Sequence, residues 1–157
     1  MTQTVLITGA SQGIGKATAL ELAGKGYDVV LAARTADRLE AVAEELRAIG
    51  RRVLAIPTDV RDREQVINLV QKAIEYFGAI DILVNNAAIS DHFEPVGAQN
   101  VELWDRLMSI NLRAPMLLSR AVVQTMLQHE HVNGNILNIL SMAAHAGMVS
   151  GKITPSK

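Results

Sequence analysis

Five short apolar runs rich in β-branched residues recur along the chain, at residues 4–9, 28–33, 52–58, 80–86 and 134–140. Between them, at 13–25, 36–49, 63–77 and 99–130, the apolar positions take helical spacing. A strand apolar at every position is covered on both faces, and strands that alternate with helices build a parallel sheet. The pattern therefore predicts an α/β fold, a doubly wound parallel sheet of five strands. Thr35 or Asp37 can cap the second helix and Asp62 the third, while Gly50 and Gly78 stand where helices stop. Pro115 falls inside the fourth helix and has no N–H to give. The carbonyl of Asn111 loses its donor, so a kink is expected there and the carbonyl is left able to hold a water.

Composition narrows the picture. A chain of 157 residues without a Pro, Gly or Ser-rich linker reads as a single domain over 1–157, long enough to bury roughly 70% of its unfolded surface. Acids and bases nearly cancel at a net charge of −1, which argues against a nucleic-acid partner. With no cysteine there is neither a disulfide framework nor a thiolate metal site, and no metal is expected. The start "MTQTVLITG" lacks a basic region and a long apolar run, so the cytoplasm is the expected location and no membrane partner is expected.

Candidate chemistry begins after the first strand, where "TGASQGIGKA" places Gly9, Gly13 and Gly15 at a strand-to-helix turn. Glycines let the backbone bend tightly and approach a pyrophosphate, whose charge meets the N–H groups and positive dipole of the helix start. The second strand ends at Ala33 and is followed by Arg34, where an acid would bind the ribose hydroxyls of NAD. A guanidinium there can meet the 2′-phosphate of NADP instead, unless Arg34 is merely a solvated loop residue. Asp59, past the third strand, can accept from an adenine amino group or serve as a turn residue.

With "TGASQGIG", the Asp59-Val60 pair, "NNAA" at 85–88, Asn111, Ser141 and Lys157 in order, the chain resembles the short-chain dehydrogenase/reductase family, and within it the NADP-dependent ketoreductases and 3-oxoacyl-carrier-protein reductases. The resemblance implies a Rossmann-type sheet in the order 3-2-1-4-5 and NADP(H) as cofactor. It implies further that Ser11, Gly13, Ile14 and Gly15 line the phosphates, Asp59 and Val60 the adenine, and Asn86 with Ala87 the ribose beside the nicotinamide. Ala88 stands where the family has a glycine, a change expected to be tolerated. Ser141 would bind the substrate carbonyl, and Asn111 would hold a water that passes protons toward Lys157. His145 lies near Ser141 but has no evident partner, and a structural or solvated role is the simpler one.

The family's catalytic pair is a tyrosine and a lysine four residues apart on one helix face, the ammonium lowering the phenol pKa. Here the lysine is Lys157 and the tyrosine position holds Ile153. Tyr27 and Tyr76 belong to the first and third helical regions and cannot substitute. The resemblance also implies a sixth and a seventh strand beyond Lys157, so the chain reads as an amino-terminal part. Three functions stay open: an impaired NADP-dependent reductase acting on a ketone or secondary alcohol, a non-catalytic NADP-binding or scaffold protein, and a nucleotide-fold domain used only for assembly. The fourth helical region carries more apolar residues than one core-facing stripe needs, which points to further copies of the chain as partners, a dimer or tetramer in full-length form. Replacing Ile153 by tyrosine in a version carrying the downstream segment should raise NADPH-dependent ketone reduction by about 10²- to 10⁴-fold, read as loss of NADPH absorbance; continued inactivity with cofactor still bound would favour the scaffold.

Overall fold

A computed structural model describes residues 2–90, 96–128 and 133–141. Five strands, β1 (Thr4–Thr8), β2 (Asp28–Ala33), β3 (Val53–Pro57), β4 (Ile82–Asn85) and β5 (Asn135–Asn138), form one sheet in the order β3-β2-β1-β4-β5. Every pairing is parallel, with Thr8 beside Ala32, Ala33 beside Pro57 and Asn85 beside Asn138 at the carboxyl ends. The predicted class and strand order are those observed. All residues of β1 and β2 are buried, as continuous apolarity requires of central strands. β5 is exposed along its length because it pairs with β4 alone among the described residues.

The first two helices are α1 (Gly13–Gly24) and α2 (Ala36–Ala48), followed by α3 (Arg63–Phe77). Alternate side chains of each strand enter opposite cores. Val5, Ile7, Val29 and Leu31 face the layer of α1 and α2, whereas Leu6, Val30 and Leu83 face the layer of α3. Helical spacing supplies the matching faces: Leu39, Val42, Ala43 and Leu46 in α2, and Val66, Leu69, Val70 and Ala73 in α3. Asp62 caps α3 by accepting from the N–H groups of Glu64 and Gln65, and Gly78 ends it at φ 87°. Thr35 holds the corresponding position of α2 without a side-chain cap bond, so capping by Thr35 or Asp37 is not the device that starts that helix.

The single helix expected over 99–130 is instead three pieces. After a short 3₁₀ turn (Val96–Ala98) come α4 (Val101–Met108), a π-helical turn (Ser109–Arg113) and α5 (Ala114–Gln128). Pro115 explains the break, since it cannot donate to the Asn111 carbonyl. The turn widens, and the Ala114 N–H reaches back five residues to the Ser109 carbonyl. The expected irregularity falls at the expected residue. Ala114, Leu118, Val122 and Met126 then carry α5 against the α3 side of the sheet.

No helix among the described residues is long and apolar enough to cross a membrane. Leu83, in the fourth strand with its side chain fully buried, anchors the α3–α5 core. Its replacement by alanine should lower stability by about 2–5 kcal/mol, measured as a fall in the urea midpoint at unchanged slope.

Candidate functional site

The carboxyl end of β1 leads into a turn whose three glycines do different things. Gly9, at φ 65°, and Gly13, at φ 56°, take left-handed backbone that other residues rarely adopt. A Cβ on Gly9 would stand 2.9 Å from Asn86 Nδ2, whereas one on Gly13 would meet nothing within 4 Å. A Cβ on Gly15 would collide with the Gly9 carbonyl oxygen and Asn86 Nδ2. Gly9 and Gly15 therefore let the turn close on β4, and Gly13 leaves the helix start open.

Thr8 and Asn86 hold that closure. The Thr8 hydroxyl accepts from the N–H groups of Asn86 and Ala87, each at 3.1 Å, and donates to the Val84 carbonyl at 3.4 Å. The Asn86 amide donates to the carbonyls of Thr8 at 2.9 Å and Gly9 at 3.3 Å. Helix α1 begins here with Gln12 extended before it, no side-chain cap bond and no acid in its first turn. The starts of α3 and α4, by contrast, are filled by Asp62 and Asn100. The amides of the first turn of α1 are thus available to an anion from outside.

Two cavities meet above this turn. The first, of about 350 Å³, is lined by Gly9, Ser11, Gly13, Arg34, Asp59 and Val60 from the sequence candidates. Asn86 and Ala87 line both cavities, as do Ala88 and Ile89. Ile14 lines the second cavity rather than the first, because one helical step from Gly13 turns its side chain the other way. Gly15 lines neither and acts through packing.

Residues outside the sequence reading also contribute. Arg38, on the first turn of α2, lines the first cavity and donates from Nη1 to Gln12 Oε1 at 3.0 Å. Its place in the first turn of the helix that follows Arg34 was the available signal. Arg61 engages both Asp59 oxygens, Nε lying 3.0 Å from each. Its guanidinium hydrogen bond is the main reason the Asp59 carboxyl titrates below its ordinary range, with burial opposing. Asp59 is therefore an ionised acceptor already sharing its charge.

The second cavity, of about 580 Å³, brings Asn111 and Ser141 together. The Asn111 side chain, in the π-helical turn, donates to the Ile89 carbonyl at 2.8 Å and accepts from the Ile89 N–H at 3.0 Å. Both ends of its amide are engaged in fixing the segment after β4, while the main-chain carbonyl lacks the donor that Pro115 cannot supply. Asn85 donates to Ser119 Oγ at 3.2 Å and Asn138 Oδ1 at 3.0 Å, tying β4 to α5 and β5. Its own Oδ1 is buried with no hydrogen-bond partner. Ile153, Lys157 and His145 lie outside the described residues. Tyr27 and Tyr76 line neither cavity; Tyr27 packs against the α1–α2 core, and Tyr76 lies under the Arg52 guanidinium, 5.2 Å from its ring centre.

A five-stranded parallel sheet whose central strand ends in a glycine turn and an uncapped helix is a Rossmann-type nucleotide-binding architecture. Residues 3–153 match the family model for short chain dehydrogenases, and the chain belongs to that family. It is 40% identical over 149 residues to the short chain dehydrogenase/reductase dpchG of Colletotrichum higginsianum, covering 95% of this chain and 56% of that protein. A metagenomic short-chain oxidoreductase in complex with NADP superposes with a TM-score of 0.86 at 34% identity, covering 93% of this chain and 65% of that one. An NAD+-bound xylitol dehydrogenase gives 0.88 at 33% identity, covering 93% and 55%. The chain spans about half the length of dpchG and of the similar short chain dehydrogenase/reductase dpfgG of Gibberella zeae.

Adding a methyl group separates the glycine roles. Gly15→Ala should destabilise the fold by about 1–3 kcal/mol through overpacking, while Gly24→Ala, where a Cβ meets nothing within 4 Å, should stabilise it by about 0.4–1 kcal/mol. Urea midpoints of the two variants check the contrast.

Proposed function

We propose that the chain forms the NADP-binding part of a short-chain oxidoreductase that interconverts a ketone and a secondary alcohol. One observation carries the reading: the uncapped first turn of α1 opens beside two joined cavities, one bounded by Arg34 and Arg38 and the other by Asn111 and Ser141. The residues fit a dinucleotide. Gly13 leaves open space where a Cβ would project, the first-turn amides have no side-chain cap, and Arg34 with Arg38 bring two cations to the first cavity. When bound, the nicotinamide supplies or accepts hydride.

The chain's own groups have the remaining tasks. Gly13 and the amides of the first turn of α1 hold the pyrophosphate, with Ser11 beside them. Arg34 meets a 2′-phosphate and Arg38 flanks it. Asp59 and Val60 bound the adenine, and Asn86 with Ala87 the ribose that precedes the nicotinamide. Ser141 donates to the substrate oxygen, the Asn111 carbonyl holds a proton-carrying water, and Lys157 stands four residues after Ile153, which occupies the position of the expected tyrosine. That replacement makes the chain a weak catalyst, and it is also what favours the second reading, a non-catalytic NADP-binding or scaffold protein. Val101, Trp104, Val123 and Leu127 stand exposed on α4 and α5, which supports self-association.

The experiment is a comparison of dissociation constants for NADPH and NADH by calorimetry. NADPH should bind at least tenfold tighter. Arg34→Ala should remove about 10- to 100-fold of that affinity, as expected for charge-assisted hydrogen bonds, and leave NADH unchanged. Arg38→Ala should act in the same direction and less strongly. Equal affinities for the two cofactors would contradict the reading.

A further inference from the structure

We propose that Arg61 withholds the Asp59 carboxylate from the coenzyme's base, so that the 6-amino group of adenine goes unread at this position and Arg61 sets the purine selectivity of the first cavity. The inference rests on the assignment of that cavity to the adenosine end in the proposed function.

A carboxylate has about four lone-pair sites, and at Asp59 each oxygen already accepts twice. Oδ1 accepts from the Arg61 backbone N–H and from Arg61 Nε, each at 3.0 Å. Oδ2 accepts from the same Nε at 3.0 Å and from Nη2. The planar guanidinium lies on both oxygens as a fork, the geometry that holds an arginine most firmly on a carboxylate. The turn beneath is braced as well. The Asp59 N–H donates to Gln65 Oε1 at 2.9 Å, the Asp59 carbonyl accepts from the Asp62 N–H at 3.0 Å, and Gln65 Nε2 donates to Asp62 Oδ2 at 3.0 Å. Asp62 in turn caps α3. Every polar group of Asp59 therefore has a partner within residues 61–65.

Asp59 lines the first cavity and Arg61 does not, so the cation holds the acid without standing in the ligand's space. The buried side chains of Val60 and Ile110 line the same cavity and offer a ring apolar contact. Thr58, also in the lining, gives its hydroxyl proton to the Ile56 carbonyl at 3.0 Å. A base placed there is held by fit. An amino group at its C6 gains a bond to Asp59 only by displacing one from Arg61, whereas a free carboxylate would accept from that amino group and repel a 6-oxo group.

The test compares dissociation constants, by calorimetry, of NADP+ and nicotinamide hypoxanthine dinucleotide phosphate, which differ only in the base. Loss of a cation near the cleft weakens both alike, so their ratio reports the reading of the base. Arg61→Ala should raise the preference for NADP+ by about five- to twentyfold. A hydrogen bond to an ionised acceptor is worth roughly tenfold or more, and solvent reduces it at a side chain 24% exposed. Adding Asp59→Asn to Arg61→Ala should abolish the gain, because the neutral amide can present either oxygen or nitrogen. Arg61→Gln, which keeps a polar group but no fork, should act in the same direction and less strongly. An unchanged or smaller preference in both Arg61 variants would overturn the proposal, as would a gain that survives Asp59→Asn. Failure of NADP+ to bind the unsubstituted chain would instead remove the proposed function, and this inference with it.

Discussion

Everything at the carboxyl edge of the sheet depends on one close approach. The Gly9 carbonyl and the Asn86 amide occupy the space where a side chain of residue 15 would begin. Without a glycine there, α1 would be pushed away from β1 and β4. The Thr8 hydroxyl and the Asn86 amide tighten the same junction with bonds that run between two strands far apart in sequence. A helix start is thereby held rigidly above the sheet with its amides unfilled, and both cavities take their shape from it.

The cleft that results is sorted by charge along its length. Arg34 and Arg38 make one end cationic, and Arg61 offsets the Asp59 carboxylate there, so the balance favours an anion. Past Asn86 the lining carries no ionisable group among the described residues. Pro115 contributes from the side. By denying a donor to the Asn111 carbonyl it produces the π-helical turn, and from that turn the Asn111 side chain reaches Ile89 and fixes the segment between the two cavities.

Much of this was legible in the sequence because its physics is local. Continuous apolar runs reported β1 and β2, helical spacing reported α2 and α3, and the glycine turn reported the helix start. Pro115 marked the break at Asn111, though not that the chain would pass through a π-helical turn into a separate α5. What stayed hidden is tertiary. Arg61 two residues after Asp59 looks like any surface arginine until its fork closes on the carboxylate. Thr8 reads as the end of a strand, and only its meeting with residues 86 and 87 shows it as a junction. The Asn85–Ser119–Asn138 cluster joins three elements that no sequence spacing relates. Ile14, expected beside the phosphates, lines the second cavity, since a motif gives the order of residues and not the direction of each side chain.

The central claim is that the first turn of α1 is an anion site for a dinucleotide pyrophosphate. The most direct measurement follows backbone amide shifts of isotope-labelled protein as NADP+ is added. The account predicts that the amides of Gly13, Ile14 and Gly15 move most and saturably, and that inorganic pyrophosphate moves the same three. Amides in that turn that stay still while NADP+ saturates the protein would contradict it.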